Sequence, residues 1–290
     1  MSLPAAALHF PLTPALSPSE GEGENRSAAD RKLHLAFCVS LMKAMVLCAG
    51  LGTRLGELTR EIPKPMLAIQ GQPLLAYLLG NLRQHGFDQV AINLHFKPEL
   101  IRDQFGDGAA HQLQLTYSPE PKLLGTAGGV KNVAEFFRNE PAFLVHYGDI
   151  LTDQDFSAML AFHRERGALA TLLLHQRLKS NSIVNLDHTG RITGFLERPD
   201  EKSREGQTSR WVNSGVCLCT PEVLDAIPAG EACDFPRDIF PKLIVTNRVY
   251  GFGLTGYRCA IDSPERLAEA RAAVAEGRCR AVPILNKPVA

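Results

Sequence analysis

Lys43-Ala44-Met45-Val46-Leu47-Cys48-Ala49-Gly50-Leu51-Gly52-Thr53-Arg54-Leu55-Gly56, followed by Ile62-Pro63-Lys64-Pro65-Met66, is the stretch from which the rest of this chain can be read. The apolar run Ala44 to Ala49 is too short for a helix and empties into a glycine loop, as a buried strand does when it feeds a turn whose N–H groups face an anion. Two cations follow. Arg54 offers a planar fork for phosphate oxygens and Lys64 a compact charge, and Pro63 and Pro65 restrict the backbone around that lysine. The pattern predicts a nucleotide-phosphate site at the end of a first β-strand.

Working outward, the residues after Lys43 alternate between strand and helix. Pro73 to His85 carries Leu74, Leu75, Leu78, Leu79 and Leu82 at helical spacing and closes at Gly86; Gln89 to Leu94 follows as a strand, completing a βαβ unit. Pro98 to Phe105 reads as a helix, Leu113 to Tyr117 as a strand, Gly128 to Phe137 as a helix and Ala142 to Val145 as a buried strand. This order predicts an α/β fold, Rossmann-like and doubly wound, with a mostly parallel sheet and ligands at the carboxyl ends of its strands.

Past residue 150 the character changes. Gln154 to Arg166 reads as a helix and Ala168 to His175 as a strand. Ile183 to Leu186, the turn Asp187-His188-Thr189-Gly190 and Arg191 to Leu196 read as an inserted β-hairpin. Asp200 to Arg210 is a charged loop, Trp211 to Cys219 a strand, Pro236 to Val245 a helix, Val249 to Gly251 an edge strand, and Pro264 to Ala275 a terminal helix capped by Ser263. No internal repeat is visible.

Composition narrows the function classes. Of the 290 residues 45% are hydrophobic and 21% charged, which describes a soluble globular protein with ample core. Thirty-one Lys and Arg balance 31 Asp and Glu, so no basic field for nucleic acid exists and the ligand is expected to be small. Seven cysteines, an odd number without Cys-x-x-Cys, imply neither a disulfide framework nor a zinc site and read as reduced and cytoplasmic. Residues 1–41, rich in Pro, Ala, Ser, Glu and Gly at their start, are expected to be a disordered extension. The apolar run Leu33 to Met42 imitates a signal peptide, but Lys43 interrupts it, and it is short for a membrane span. From 42 to 290 a single domain is expected, with 42–150 as its nucleotide half and 151–276 as its second half.

Taken alone, Gly50-x-Gly52-x-x-x-Gly56 could pass for a dinucleotide fingerprint. A helix starting inside it would run into Pro63 and Pro65, and no strand ending in an acidic residue follows at about 20 residues. With its Arg and Pro-Lys-Pro-Met, the stretch instead resembles the signature of the sugar-1-phosphate nucleotidyltransferases, the NDP-sugar pyrophosphorylases. Further matches follow in order. Leu124-Gly125-Thr126-Ala127-Gly128-Gly129 is similar to the family's second nucleotide loop, and Val145-His146-Tyr147-Gly148-Asp149 to its Gly-Asp metal motif. Phe195-Leu196-Glu197-Arg198-Pro199 resembles Phe-x-Glu-Lys-Pro, Val212-Asn213-Ser214-Gly215-Val216 the Asn-x-Gly strand, and Ala260-Ile261-Asp262-Ser263-Pro264-Glu265 the final Asp-x-Gly-Thr-Pro.

The resemblance implies a reaction in which a sugar-1-phosphate oxygen attacks the α-phosphorus of a nucleoside triphosphate and displaces pyrophosphate. It assigns Arg54, Lys64 and Asp149 to catalysis; Ala49, Gly50, Gly52, Thr53, Thr126 and Gly128 to the nucleotide; and Glu197, Arg198 and Asn213 to the sugar phosphate. Asp149 and Asp262 are assigned to Mg²⁺. The second loop is most similar to mannose- and heptose-phosphate guanylyltransferases, which favours GTP, while a uridylyltransferase for N-acetylmuramate-1-phosphate or a catalytically silent nucleotide-sugar-binding subunit are the alternatives. Homo-oligomers are expected from the resemblance, though no heptad repeat marks an interface. Three departures stand out: Arg198 replaces the usual lysine, Tyr147 precedes Gly-Asp, and Ser263 stands alone where Gly-Thr is usual.

Overall fold

The computed structural model describes residues 42–178 and 180–285. The extension expected over 1–41 lies outside them. In chain order the strands are β1 (Lys43–Leu47), β2 (Ala68–Ile69), β3 (Gln72–Pro73), β4 (Gln89–Leu94), β5 (Gln114–Pro119), β6 (Phe143–Tyr147) and β7 (Ile150–Thr152). They continue as β8 (Ala170–Gln176), β9 (Ser182–Leu186), β10 (Ile192–Glu197), β11 (Trp211–Cys219), β12 (Val249–Gly253) and β13 (Arg258–Ala260).

One sheet runs β10-β9-β11-β6-β1-β4-β5, with β8 branching from β11 and β12 pairing β8. Its first half is parallel: β1 lies between β4 and β6, and β4 also pairs β5. Side chains of β1 alternate between two cores, as a doubly wound sheet requires. Ala44 and Val46 pack under the helix Leu74–Gln84, while Met45 faces the layer holding Val130, Phe137 and Phe143. Each fully buried side chain such as Leu78 or Phe87 contributes about 1.5–3 kcal/mol.

The second half is mixed rather than parallel. β11 runs antiparallel to β6 and to β8, and the hairpin β9–β10 extends the sheet beyond Trp211. Asp187 closes that hairpin: its side chain accepts from the Thr189 hydroxyl and N–H and from Arg191, which holds its carboxyl down to about 2. A separate ribbon pairs β13 with β7. This pairing carries the site, because it brings the segment around residue 260 back beside Gly148-Asp149.

Three sequence expectations are corrected. The helix expected over Gly128 to Phe137 begins at Gly125 and breaks at Val133 (φ −116°) into Gly125–Asn132 and Ala134–Phe137. The helix over Pro236 to Val245 is a wide π turn, Phe235–Ile239, followed by Phe240–Ile244; Pro241 has no N–H with which to continue one ladder. The loop Asp200 to Arg210 contains a short helix, Glu201–Arg204, capped by the Asp200 side chain on Ser203 N–H at 2.8 Å. Ser263 caps Pro264–Ala275 as its sequence suggests, accepting from Arg266 N–H at 3.3 Å. Among the described residues no helix is long and apolar enough to cross a membrane.

Candidate active site

Where β1, β4 and β6 end together, a cavity of about 260 Å³ opens. Ala49, Gly50, Gly52, Lys64, Thr126 and Asp149 line it, so six of the residues picked out by sequence converge on one space. Its floor was not legible in the sequence. Asn93 Oδ1 accepts from the N–H groups of Cys48 (2.7 Å) and Ala49 (3.4 Å), tying the end of β1 to β4. Asn93 Nδ2 donates to Glu120 Oε1 at 2.9 Å, and Glu120 Oε2 accepts from Leu124 N–H at 3.1 Å. Glu120 is only 2% exposed and faces the cavity. Gly129 makes room for this network: a Cβ there would lie 2.7 Å from Glu120 Oε1 and 2.8 Å from Asn93 Nδ2.

Lys64 is 8% exposed and its ammonium donates to Asp149 Oδ2 at 2.9 Å. Both residues line the cavity. Asp262 reaches the neighbourhood through the β7–β13 ribbon, where Ile261 N–H donates to the Asp149 carbonyl at 2.8 Å. Its carboxylate pairs at 3.4 Å with Arg54, whose side chain is 62% exposed. Arg54 and Asp262 do not line the cavity, and Thr53 lines a separate shallow depression beside Phe96.

The turn at Gly125 is closed by a segment distant in sequence. Thr126 N–H and its hydroxyl both donate to Asp234 Oδ1 (3.1 and 3.2 Å), and the N–H groups of Ala127 and Gly128 donate to Cys233 C=O (2.9 and 3.0 Å). Gly125, at φ +73°, permits this approach; a Cβ would meet Cys233 C=O at 2.7 Å. Gly128 therefore packs rather than facing the cavity: its N–H is taken, and a Cβ would lie 2.7 Å from Glu231 C=O.

A second cavity, of about 380 Å³, adjoins the first and shares Thr126, Tyr147 and Asp234 with it. Glu197, Arg198 and Arg237 line it. Burial pushes the Glu197 carboxyl up, with Arg198 opposing and Asp234 reinforcing. Arg198 lies 3.8 Å from Glu197 with its side chain 80% exposed, and its backbone sits at φ +46°. The Tyr147 hydroxyl is buried and has no hydrogen-bond partner among the described residues. Asn213 lines neither cavity; its Oδ1 accepts from Gly215 N–H at 3.1 Å, within the irregularity between Asn213 and Cys217 on β11.

Besides Asn93, Glu120 and Asp234, sequence reasoning missed Arg258. Its guanidinium donates twice to Ser214 C=O (3.3 and 3.2 Å) and lies within electrostatic reach of Asp149, while burial lowers its pKa. Asn93, one position before the end of β4, and Glu120, directly after the mixed strand β5, gave no local signal of this pairing. Asp234 and Arg258 carry none either, because their partners are far away in the chain.

A family model described as "Nucleotidyl transferase" matches residues 43–272. The chain is 40% identical to a UTP–glucose-1-phosphate uridylyltransferase of Synechocystis sp. over 70% of its own length and 55% of that protein. It is 34% identical to a mannose-1-phosphate guanylyltransferase of Mycobacterium tuberculosis, covering 81% of this chain and 65% of the relative. It therefore spans less than two thirds of these two relatives. An N-acetylmuramate alpha-1-phosphate uridylyltransferase of Neisseria meningitidis is 36% identical, over 80% of this chain and 97% of that one. Among solved structures, HddC from Yersinia pseudotuberculosis shares the fold with a TM-score of 0.68 at 23% identity, covering 80% of this chain and 99% of the other.

Proposed function

The chain belongs to the nucleotidyl transferase family, and on that premise we propose that it transfers a nucleotidyl group from a nucleoside triphosphate to a sugar-1-phosphate, giving NDP-sugar and pyrophosphate. The observation that carries this reading is the pair of cavities meeting at Thr126, Tyr147 and Asp234, with the Lys64–Asp149 pair on the nucleotide side. Two substrates that exchange a phosphoryl bond need adjoining sites, and the reacting α-phosphate belongs where they meet.

The triphosphate is placed by charge. Asp234 caps the helix that begins at Gly125, so the anion is steered to the opposite wall, toward Gly50, Gly52 and Lys64. Lys64, and Arg54 from the loop above, neutralise charge that builds on the α-phosphate and leaving pyrophosphate. The attacking phosphate is already ionised, so no general base is required. In the second cavity Arg198 holds the sugar phosphate, and the orphan Tyr147 hydroxyl is available to an oxygen at the junction. Residues 42–150 form the nucleotide half and 151–276 the sugar half, with Thr126, Tyr147 and Asp234 common to both cavities. Asn213 acts on the sugar only indirectly, by shaping β11.

Mg²⁺ fits the donor set. Asp149 and Asp262 supply two carboxylates from segments joined by the Ile261–Asp149 hydrogen bond, and no larger group of acidic, His or Cys ligands exists among the described residues. Few protein carboxylates, completed by phosphate oxygens, is how this ion is commonly held. When bound it would withdraw charge from the phosphates.

GTP is favoured by Glu120. A carboxylate only accepts, and guanine offers it two adjacent donors, N1–H and the 2-amino group, whereas uracil offers one N–H flanked by acceptors. A second reading, uridylyl transfer to N-acetylmuramate-1-phosphate, is supported by the 97% coverage of the Neisseria relative. Six free, buried thiols among the described residues suit the reducing cytoplasm.

Pyrophosphate release, measured for four triphosphates against a panel of sugar-1-phosphates, tests the proposal. Turnover with GTP and a hexose-1-phosphate, lost in Asp149→Ala, is expected. Binding of a nucleotide-sugar without turnover of any pair would instead make the protein a silent binding subunit.

A further inference from the structure

Each carboxylate assigned to the metal is held by a cation assigned to the triphosphate. Lys64 Nζ is 2.9 Å from Asp149 Oδ2, and Arg54 Nη1 is 3.4 Å from Asp262 Oδ2. These two pairs link the glycine loop and the Pro-Lys-Pro turn to the Gly-Asp strand end and the segment after β13. We propose that the pairs form an exchange device: without nucleotide, Lys64 and Arg54 occupy Asp149 and Asp262, and the triphosphate, by drawing both cations to itself, releases both carboxylates to a divalent cation.

Charge and geometry support the exchange. Lys64 is nearly buried, its backbone is restricted by Pro63 and Pro65, and it lines the cavity together with Asp149, so its ammonium lies beside both the carboxylate and the space for the ligand. Arg258, anchored on Ser214 C=O, lies within electrostatic reach of Asp149. Lys64 thus occupies one oxygen of the Asp149 carboxylate while Arg258 adds positive potential nearby, so a divalent ion approaching it meets repulsion as well as competition. A bound triphosphate reverses that balance by adding several negative charges beside Lys64 and Arg54. The release of both acids by one ligand makes metal and nucleotide binding mutually reinforcing, each tightening the other by the same factor.

This inference rests on the proposed nucleotide site. Mn²⁺ serves as the probe, with its affinity read by electron paramagnetic resonance and calorimetry on the full chain, alone and with a non-hydrolysable GTP analogue. The wild type should bind Mn²⁺ weakly alone and on the order of tenfold or more tightly with the analogue. Lys64→Met should raise Mn²⁺ affinity in the absence of nucleotide and shrink the synergy; Asp149→Asn should remove the site. Arg54→Gln should act in the same direction more weakly, its pair being more exposed, and it keeps the test informative if Lys64→Met does not fold. Equal Mn²⁺ affinity of wild type with and without the analogue, or unchanged nucleotide-free affinity in both variants, overturns the device. Failure of the analogue to bind even with Mn²⁺ present overturns the nucleotide site itself, whereas the nucleotide-free Mn²⁺ comparison is decided without it.

Discussion

The two cavities are built differently. Around the first, Lys64, Asn93 and Glu120 are buried and their polar atoms are tied to backbone, to Asp149 or to one another. Around the second, Arg198 and Arg237 extend into solvent, their side chains 80% and 64% exposed. The first sits at the ends of the parallel strands β1, β4 and β6; the second gathers β10 and the segment after Cys233 beside the antiparallel half. A preorganised wall stabilises developing charge without having to reorganise, whereas exposed cations at a cavity rim suit recognition of a substrate that varies. Chemistry should therefore be lost from the first cavity and specificity retuned in the second.

The largest effect expected from that contrast is at Asp149. Asp149→Asn should lower the rate of pyrophosphate release by about 10²–10³-fold, the cost of removing one preorganised electrostatic group. A variant within a few-fold of wild type in a stopped-time assay would break the division of labour. Glu120→Gln comes next: the GTP-to-UTP ratio of kcat/KM should fall by about tenfold, since a well-placed bidentate base contact discriminates by about 1–3 kcal/mol. The same change turns an amide NH₂ toward Asn93 Nδ2 or Leu124 N–H, so the thermal midpoint should drop too.

Smaller effects belong to the second cavity. Arg198→Ala should raise KM for the sugar-1-phosphate roughly tenfold, as loss of hydrogen bonds to a charged group does, and leave KM for the triphosphate unchanged. Equal movement of both constants would mean that the cavities do not separate the substrates. Asp234→Asn tests the junction: it should move both KM values by a few-fold, roughly the loss of charge assistance in bonds it can still partly make.

The smallest effect at neutral pH concerns stability. His163 and His175, beside β8 and on it, are pushed down to about 4 by burial, with nearby arginines acting in the same direction. Between pH 6.5 and about 4 the unfolded chain binds protons that the folded one refuses, so stability falls as pH falls, by up to about 1.4 kcal/mol per pH unit for each histidine. Urea melts at pH 7, 5.5 and 4.5 check this. A flat midpoint across that range would contradict neutral, buried imidazoles in this half.

Much of the fold was legible because its signals are local. β4, β11 and the helices Pro98–Phe105 and Pro264–Ala275 carry periodicity and caps within a few residues, and the structure places them where the pattern predicts. The helix starting at Gly125 was misread because its caps come from Cys233 and Asp234, more than a hundred residues later. Glycines and charges of the opening stretch were legible as a cluster near a strand end, but which of them face the cavity was not: Gly50, Gly52 and Lys64 do, Thr53 and Arg54 do not.

By itself, the sequence determined that a strand ends in a glycine loop followed by Pro-Lys-Pro, that strands and helices alternate, and that acids recur at Asp149 and Asp262. These are properties of neighbours along the chain, set by backbone restriction and hydrophobic spacing. Tertiary structure alone decided that Lys64 meets Asp149, that Arg54 meets Asp262, that Glu120 and Asn93 form the cavity floor and that Asp234 stands between the two cavities. Each of those contacts joins residues far apart in sequence, so each depends on strand order and register, which no local pattern encodes.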